Sequence, residues 1–163
     1  MAINRQSRGD VMTIIVIENT GNPVDMNGFI TNITLPQIEK NTTESNFVGY
    51  KGEVTRSQPY SVPEFSATMQ SCSDELLSAF IRHESSEADI TVQLTTPFEN
   101  ILDGSNKRDE TYTIKGLVTR SPTPNEFNGS DYIEREIMIK VKEYSIQAGS
   151  THTWTIEEGW VIT

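Results

Sequence analysis

The longest alternating stretch of the chain reads Tyr132-Ile-Glu-Arg-Glu-Ile-Met-Ile-Lys-Val-Lys-Glu-Tyr-Ser-Ile146. Apolar residues occupy the odd positions Ile133, Ile137, Ile139 and Val141, whereas the even positions include the charged residues Glu134, Glu136, Lys140 and Lys142. Successive side chains of a β-strand point to opposite faces of the sheet. The pattern therefore predicts a long strand whose odd positions face a core and whose even positions face water.

Shorter stretches of similar character occur on both sides of it, separated by turn residues. They predict further strands at residues 11–18, 29–35, 60–70, 88–95, 110–120 and 151–163. Because Asn, Gly and Pro supply turn chemistry at residues 19–23, we expect residues 29–35 to return beside residues 11–18. The strands alone indicate an antiparallel architecture.

Residues 73–82 have the pattern of a short amphipathic helix. Ser71 or Ser73 can cap the first turn by accepting a backbone N–H, and Asp74 suits the positive end of the helix dipole. Apolar residues recur at helical spacing at Leu76, Leu77, Phe80 and Ile81. We therefore predict a single mainly β domain over residues 1–163. Its expected fold is an antiparallel β-sandwich or barrel of about seven or eight strands, with one short α-helix and a long protruding loop.

Two segments lack the strand pattern. Residues 37–58 are polar but include Phe47 and Tyr50, and so long a connection in a compact domain usually has a function. The aromatic side chains favour docking against a partner. Residues 1–10 are expected to form a short mobile N-terminal arm.

The composition limits the possible functions. The 163 residues include 23 acids and 13 bases, which gives a net charge of −10. This charge argues against a general nucleic-acid binder, because affinity for DNA or RNA comes mainly from cations that neutralise phosphates. With one cysteine, Cys72, and two histidines, His83 and His152, we expect no structural metal and no cofactor. The longest apolar run, residues 14–17, is far below the ~20 residues of a membrane span, so we expect no membrane insertion by the monomer.

The sequence contains no recognised catalytic motif. No segment matches a Walker loop, a dinucleotide fingerprint, a nucleophile elbow or a His-Glu-x-x-His helix. Acidic neighbours such as Asp109 and Glu110 would point to opposite faces of a strand, whereas acid-base catalysis needs groups that converge. We therefore expect a protein that is not an enzyme. An alternative is a monomeric carbohydrate-type β-sandwich that binds its ligand with Trp154 and Trp160.

The order of several stretches resembles the major tail tube proteins of contractile-tailed bacteriophages, which are related to the tubes of contractile bacteriocins. The matching stretches are Ile33-Thr-Leu-Pro-Gln-Ile-Glu-Lys40, the strand from Phe65 to Met69, Asp74-Glu-Leu-Leu-Ser-Ala-Phe80, Tyr112-Thr-Ile-Lys-Gly-Leu-Val118 and Ile137-Met-Ile-Lys-Val-Lys-Glu-Tyr144. The resemblance covers roughly residues 11–146.

The resemblance implies a structural virion protein. Six copies would form a ring, and rings would stack helically into a hollow inner tail tube that conducts DNA without reading its sequence and penetrates the host envelope. The implied partners are the chain itself and the tail sheath, tape measure, baseplate hub and tail terminator proteins. The implied location is the phage tail, assembled in the bacterial host cytoplasm.

Two sets of residues are candidates for this role. The long loop would contact a neighbouring subunit with Phe47 and Tyr50 as anchors and with Glu39, Lys40, Glu44 and Glu53 as a polar rim. The polar strand faces would line the lumen with Glu64, Asp89, Gln93, Glu134 and Glu136, although Lys140 and Lys142 share the last of these faces. Acids within a Debye length of about 8 Å would repel DNA and let it slide.

Overall fold

The computed structural model describes residues 5–7, 13–17, 23–25, 30–46, 53–57, 60–100, 108–124, 126–127, 129 and 133–163. Within these residues the chain forms twelve β-strands and one α-helix. The strands are β1 Arg5–Ser7, β2 Thr13–Ile17, β3 Val24–Asp25, β4 Ile30–Thr34, β5 Thr42–Asn46, β6 Glu53–Ser57, β7 Glu64–Met69, β8 Ile90–Asn100, β9 Arg108–Arg120, β10 Arg135–Ala148, β11 Ser150–Thr155 and β12 Gly159–Ile162, and the helix is α1 Asp74–Ser86. The predicted mainly β class with one helix is confirmed.

Seven strands follow one another in a curled antiparallel sheet in the order β12-β11-β10-β9-β8-β2-β3. β10 is the strand at which this sheet divides. From Met138 to Gln147 it pairs with β9, while its other edge pairs first with β7 and then with β11. β4 lies beyond β7. The sheet therefore forks along one edge of β10.

Two β-bulges accompany the fork. The register between β9 and β10 skips Thr119 on one strand and Lys142 on the other. Next to the second bulge, the N–H of Val141 donates to the carbonyl oxygen of Pro63 at 3.0 Å. A bulge adds a residue to one strand and increases the local twist. As a result, the buried positions of β10 change from odd, ending at Val141, to even, beginning at Tyr144. The predicted alternation is correct up to the bulge and reverses after it.

Strand pairing differs from the predicted order near the N-terminus. We expected residues 29–35 to return beside residues 11–18, but β2 pairs with β3 and β8, whereas β4 pairs with β7. The prediction was wrong because turn residues at 19–23 indicate only a change of direction. The short strand β3 takes the place beside β2 that β4 was expected to fill.

The C-terminal residues 151–163 form a hairpin and not the single strand that the pattern suggested. A turn at residues 156–158 separates β11 from β12, and the N–H of Glu158 donates to the hydroxyl of Thr155 at 3.2 Å. Gly159 follows with a φ of +72°, a conformation that favours glycine. The ring of Tyr60 also lies against the position that a Cβ atom of Gly159 would take.

Helix α1 begins as predicted and ends one turn later. The hydroxyl of Ser73 accepts the N–H of Leu76 at 3.2 Å and so caps the helix. Leu76, Ala79, Phe80 and His83 are buried. His83 lies in the last turn, and its Nδ1 is 3.2 Å from the carbonyl oxygen of Ala88. The helix packs against β9 and β3 and closes one side of the core. Among the described residues, no helix is long and apolar enough to cross a membrane.

The two segments predicted to lack strands both contain some. Within residues 37–58, β5 and β6 pair as a separate two-stranded antiparallel sheet, from Thr42 opposite Ser57 to Asn46 opposite Glu53. Within residues 1–10, β1 pairs with the end of β8. The long loop therefore has a regular hairpin within it.

Candidate assembly surface

Three of the five predicted lumen residues lie on one polar face of the curled sheet, and the other two immediately precede strands of that sheet. Glu64 is opposite Lys140 in the pairing of β7 with β10, and Glu136 is opposite Thr68 in the same pair. Gln93 lies on β8 between buried residues, and Asp89 immediately precedes that strand. Glu134 is exposed just before β10. Alternation along each strand puts Glu64, Gln93 and Glu136 on the face opposite the core.

Three of these acids take part in ion pairs with cations of the same face. Lys140 Nζ lies 2.7 Å from Glu64 Oε2, and Lys142 Nζ lies 2.8 Å from Asp89 Oδ1. Arg120 Nη1 lies 3.7 Å from Glu136 Oε2. All three pairs are partly open to solvent, so each contributes roughly 0–1 kcal/mol to stability. Their main consequence is local charge compensation, which the sequence did not reveal.

The predicted loop residues are distributed over several elements. Glu39 and Lys40 are exposed, and Lys40 lines a cleft together with Tyr60, Gly159 and Trp160. Glu44 lies in β5 opposite Thr55, and Glu53 begins β6 opposite Asn46. Phe47 and Tyr50 lie outside the described residues. The structure thus brings Lys40 to the C-terminal hairpin, and the role of the loop as an interface stays a prediction.

Strand β12 presents an exposed apolar edge. Trp160, Val161 and Ile162 are 41%, 42% and 70% exposed. On its inner side β12 pairs with β11, and no other described strand pairs with it. Unpaired edge strands are templates for pairing with another chain, and natural proteins usually protect them with charge or proline. Three consecutive apolar residues are the sequence signal that could have identified this edge.

The direction of the free hydrogen-bonding groups of β12 follows from its register. Thr151 and Thr163 exchange both backbone hydrogen bonds, at 3.1 and 2.9 Å. In an antiparallel ladder such pairs alternate with pairs that exchange none. The N–H and C=O groups of Val161 therefore point toward β11, whereas those of Trp160 and Ile162 point outward.

The two tryptophans do not form a common exposed platform. Trp154 is fully buried, with its ring 5.6 Å from that of Tyr60 in an edge-to-face arrangement. Trp160 lies directly across from it on β12 and packs edge-to-face on Tyr144 at 6.1 Å. A carbohydrate platform needs aromatic faces open to solvent. Burial of Trp154 removes one of the two residues on which that alternative rested.

Burial raises the pKa values of two tyrosines and of the cysteine. It raises the pKa of Tyr144 to about 12, with Glu110 adding to the effect. Burial likewise raises the pKa of Tyr112, whose hydroxyl donates to Glu110 at 2.8 Å. Burial raises the pKa of the Cys72 thiol, and the positive charge of Arg135 partly opposes this rise. A raised thiol pKa favours the unreactive protonated form.

Within the described part of the chain, no three His, Cys, Asp or Glu residues come together in a way that could hold a metal ion. The described surface features are an open edge strand, a polar sheet face and a two-stranded hairpin.

Comparison with known proteins finds similarity in structure but not in sequence. No family model matches the chain, and no curated protein matches it. A chain of the cryo-EM structure of the anti-feeding prophage (AFP) baseplate, 6-fold symmetrised, has a similar structure, with a TM-score of 0.59 and 11% sequence identity. The match covers 84% of this chain and 92% of that chain. At this identity the likeness establishes a shared fold over nearly the whole length of both chains.

Proposed function

We propose that this protein is the inner tube subunit of a contractile tail or a related contractile particle. In this role six copies form a ring, and rings stack helically into a hollow tube inside a sheath. The fold shared with a chain of the 6-fold symmetrised anti-feeding prophage baseplate supports a role in such an assembly. The proposed partners are further copies of the chain together with sheath, tape measure, baseplate hub and terminator proteins.

The size of the sheet supports an assembly of several chains. A closed barrel of about eight strands is filled by its own side chains, and open channels need roughly 16–18 strands. The curled sheet of this chain has ten described strands, seven of which lie side by side in one row. A lumen wide enough for DNA therefore requires strands from several copies.

The observation that carries the proposal is the apolar edge of β12. The exposed side chains of Trp160, Val161 and Ile162 accompany backbone groups that have no partner among the described strands. Pairing with a strand of another copy would bury these side chains and satisfy the outward N–H and C=O groups. Repetition of such a contact between two different surfaces gives closed rings or open-ended helical stacks.

The ion pairs refine the proposed lumen. A wall of uncompensated acids would repel DNA, but Glu64, Asp89 and Glu136 each lie beside a cation. If this face lines the tube, its charge is locally balanced. The chain as a whole still has a net charge of −10. Such a wall combines weak long-range repulsion with few unpaired cations that could hold phosphates.

Negative-stain electron microscopy of the concentrated full-length protein tests the proposal. We expect rings or tubes with six-fold symmetry, and light scattering should show a mass that grows with concentration. A protein that stays monomeric at millimolar concentration and binds a glycan would contradict the tube function and support a ligand-binding module.

A further inference from the structure

Strands β5 and β6 form a small sheet apart from the main one. They pair with each other and, among the described strands, with no other. At the base of this hairpin the side-chain amide of Asn41 donates to the hydroxyl of Ser61 at 2.9 Å. An isolated two-stranded hairpin is at best marginally stable in water, and a third strand is one way to stabilise it. The hairpin therefore lacks a neighbouring strand.

Strand β12 lacks a neighbour on one side as well. Its outward backbone groups are those of Trp160 and Ile162, and no described strand pairs with that side. The strand contains no charged residue and no proline that would protect the edge. Each element thus provides what the other lacks, because the hairpin is a free pair of strands and β12 is an open edge of a large sheet.

Length and support distinguish the hairpin from the other strands with a free edge. β12 has four residues, and β5 and β6 have five each, whereas β1 has three and β3 has two. β4 also has five residues, but it already pairs with β7, and its Ile30 and Ile33 pack against the core. Pairing with a strand of another copy therefore stabilises the hairpin most.

Within the hairpin, β5 has the less protected edge. Its sequence, Thr42-Thr-Glu-Ser-Asn46, includes one charged residue, whereas β6 includes Glu53 and Arg56. Charged residues on an edge strand oppose pairing with another chain. The two threonines of β5 are also suited to cross-strand pairs with aromatic and β-branched residues, which β12 has.

The pairing must join two copies. Lys40 and Tyr60, on either side of the hairpin, line a cleft together with Trp160 of the same copy. Even so, β5 and β12 of one copy are not paired. A contact between two different elements of two copies can repeat from copy to copy, as rings and stacks require.

We propose that β5 of one copy pairs with the outer edge of β12 of a second copy, so that the hairpin extends the main sheet of its neighbour. The contact rests on the proposed function, since it names the strand that occupies the edge of β12. It satisfies the outward backbone groups of Trp160 and Ile162. Val161 then lies in a pair that exchanges no backbone hydrogen bonds with β5.

Cysteine cross-linking between two populations of the full chain tests this pairing. Both populations carry Cys72→Ser, and one of them also carries Val161→Cys. The other population carries one of five substitutions along β5, namely Thr42→Cys, Thr43→Cys, Glu44→Cys, Ser45→Cys or Asn46→Cys. Cα atoms of antiparallel pairs without hydrogen bonds lie about 4.5 Å apart, which a disulfide can span. Under mild oxidation we expect one β5 position to give a disulfide-linked dimer of the two populations.

The five positions of β6 are the matched control, because each lies directly opposite a β5 position. If β5 pairs with β12, then β6 lies one strand farther away, roughly 10 Å from β12, which is too far for a disulfide. We therefore expect at least tenfold less dimer from Glu53→Cys, Val54→Cys, Thr55→Cys, Arg56→Cys and Ser57→Cys. Circular dichroism confirms that each variant folds. Equal dimer from β6, or Val161→Cys homodimers as the main product, would overturn the assignment to β5.

Amide hydrogen exchange measures the same pairing in the unsubstituted protein. On assembly, the N–H groups of Trp160 and Ile162 should exchange about tenfold more slowly or less, and so should alternate N–H groups of β5. The N–H of Val161 points toward β11 and should change least. Slower exchange in β12 without slower exchange in β5 would mean that another strand occupies the edge, which would overturn the contact.

The outcomes separate this contact from the tube proposal. Tubes without selective cross-linking of β5 to β12 would overturn the contact and leave the tube function standing. Selective cross-linking without tubes would support the contact and contradict the tube function. Absence of both selective cross-linking and tubes would overturn both.

Discussion

A Cβ atom on Gly116 would overlap the backbone carbonyl oxygen of Lys140. Gly116 is buried in β9 opposite Val141, directly beside the bulge at Lys142. The bulge brings the two backbones too close for any side chain at this position. The close approach of β9 to β10 at this point of the sheet therefore requires glycine at residue 116.

Replacing Gly116 with alanine should therefore destabilise the protein. Relieving the overlap requires movement of backbone and not of a flexible side chain, and overpacking of this kind costs about 1–3 kcal/mol. Urea denaturation should show the loss. Gly129→Ala is the matched control, because a Cβ atom there would meet nothing within 4 Å. Equal stability of the two variants would show that the approach of β9 to β10 is not tight.

Tyr144 should make the stability of the protein depend on alkaline pH. Burial raises its pKa in the folded state to about 12, whereas an unfolded tyrosine has a pKa near 10. Between these values the unfolded state releases a proton that the folded state retains, so the free energy of unfolding falls as the pH rises. Linkage limits the slope to about 1.4 kcal/mol per pH unit for one group.

Denaturation between pH 9 and pH 12 measures this dependence. Tyr144→Phe should flatten the slope, and Tyr112→Phe should flatten it further, because burial also raises the pKa of Tyr112. An unchanged slope in Tyr144→Phe would mean that other groups cause the alkaline loss.

The pair between Lys142 and Asp89 should contribute little to stability. Its side chains are 57% and 26% exposed, and exposed pairs contribute about 0.2–1 kcal/mol. A double-mutant cycle with Lys142→Met and Asp89→Asn should give a coupling energy below about 1 kcal/mol that shrinks in 1 M salt. A larger coupling that salt does not weaken would mean that this face is less open to water than its exposure indicates.

Local sequence pattern predicted the elements of this fold well but not their partners. The alternation at residues 60–70, 88–95 and 132–146 and the helix cap at Ser73 are encoded by neighbouring residues, and the structure has strands and a helix there. Pairing of β4 with β7 depends on contacts between distant segments. The bulge at Lys142 depends on Gly116 and Pro63, which no local pattern of β10 contains.

The same distinction applies to the candidate surface. The alternation of side chains along each strand was enough to place Glu64, Gln93 and Glu136 on one polar face. The cations beside Glu64 and Asp89 come from β10, at a distance of many residues in sequence, so the charge compensation was not predictable. The polar sequence of β5 and β6 has no apolar alternation, because the two strands pair with each other apart from the main sheet.

The predicted inter-subunit loop of residues 37–58 provides a further test of assembly. Phe47→Ala combined with Tyr50→Ala should leave a folded monomer and abolish tubes, because we expect these aromatic residues to anchor the neighbouring subunit. Electron microscopy with circular dichroism measures both properties. Normal tubes from the double variant would show that Phe47 and Tyr50 are not part of the interface.

The edge of β12 provides the most selective test, because its outward and inward backbone groups are known. Ile162→Pro removes an N–H that points away from β11, so the hairpin keeps its internal hydrogen bonds. If a strand of another copy pairs with this edge, the variant should fold with a nearly unchanged free energy of unfolding but fail to assemble.

Ile162→Thr is the matched control, since it keeps the N–H and a β-branched side chain while losing apolar surface. Sedimentation velocity should show monomers for the proline variant and assemblies for the threonine variant. Assemblies formed equally by both would mean that the backbone edge of β12 is not paired in the tube and that only its side chains can contribute.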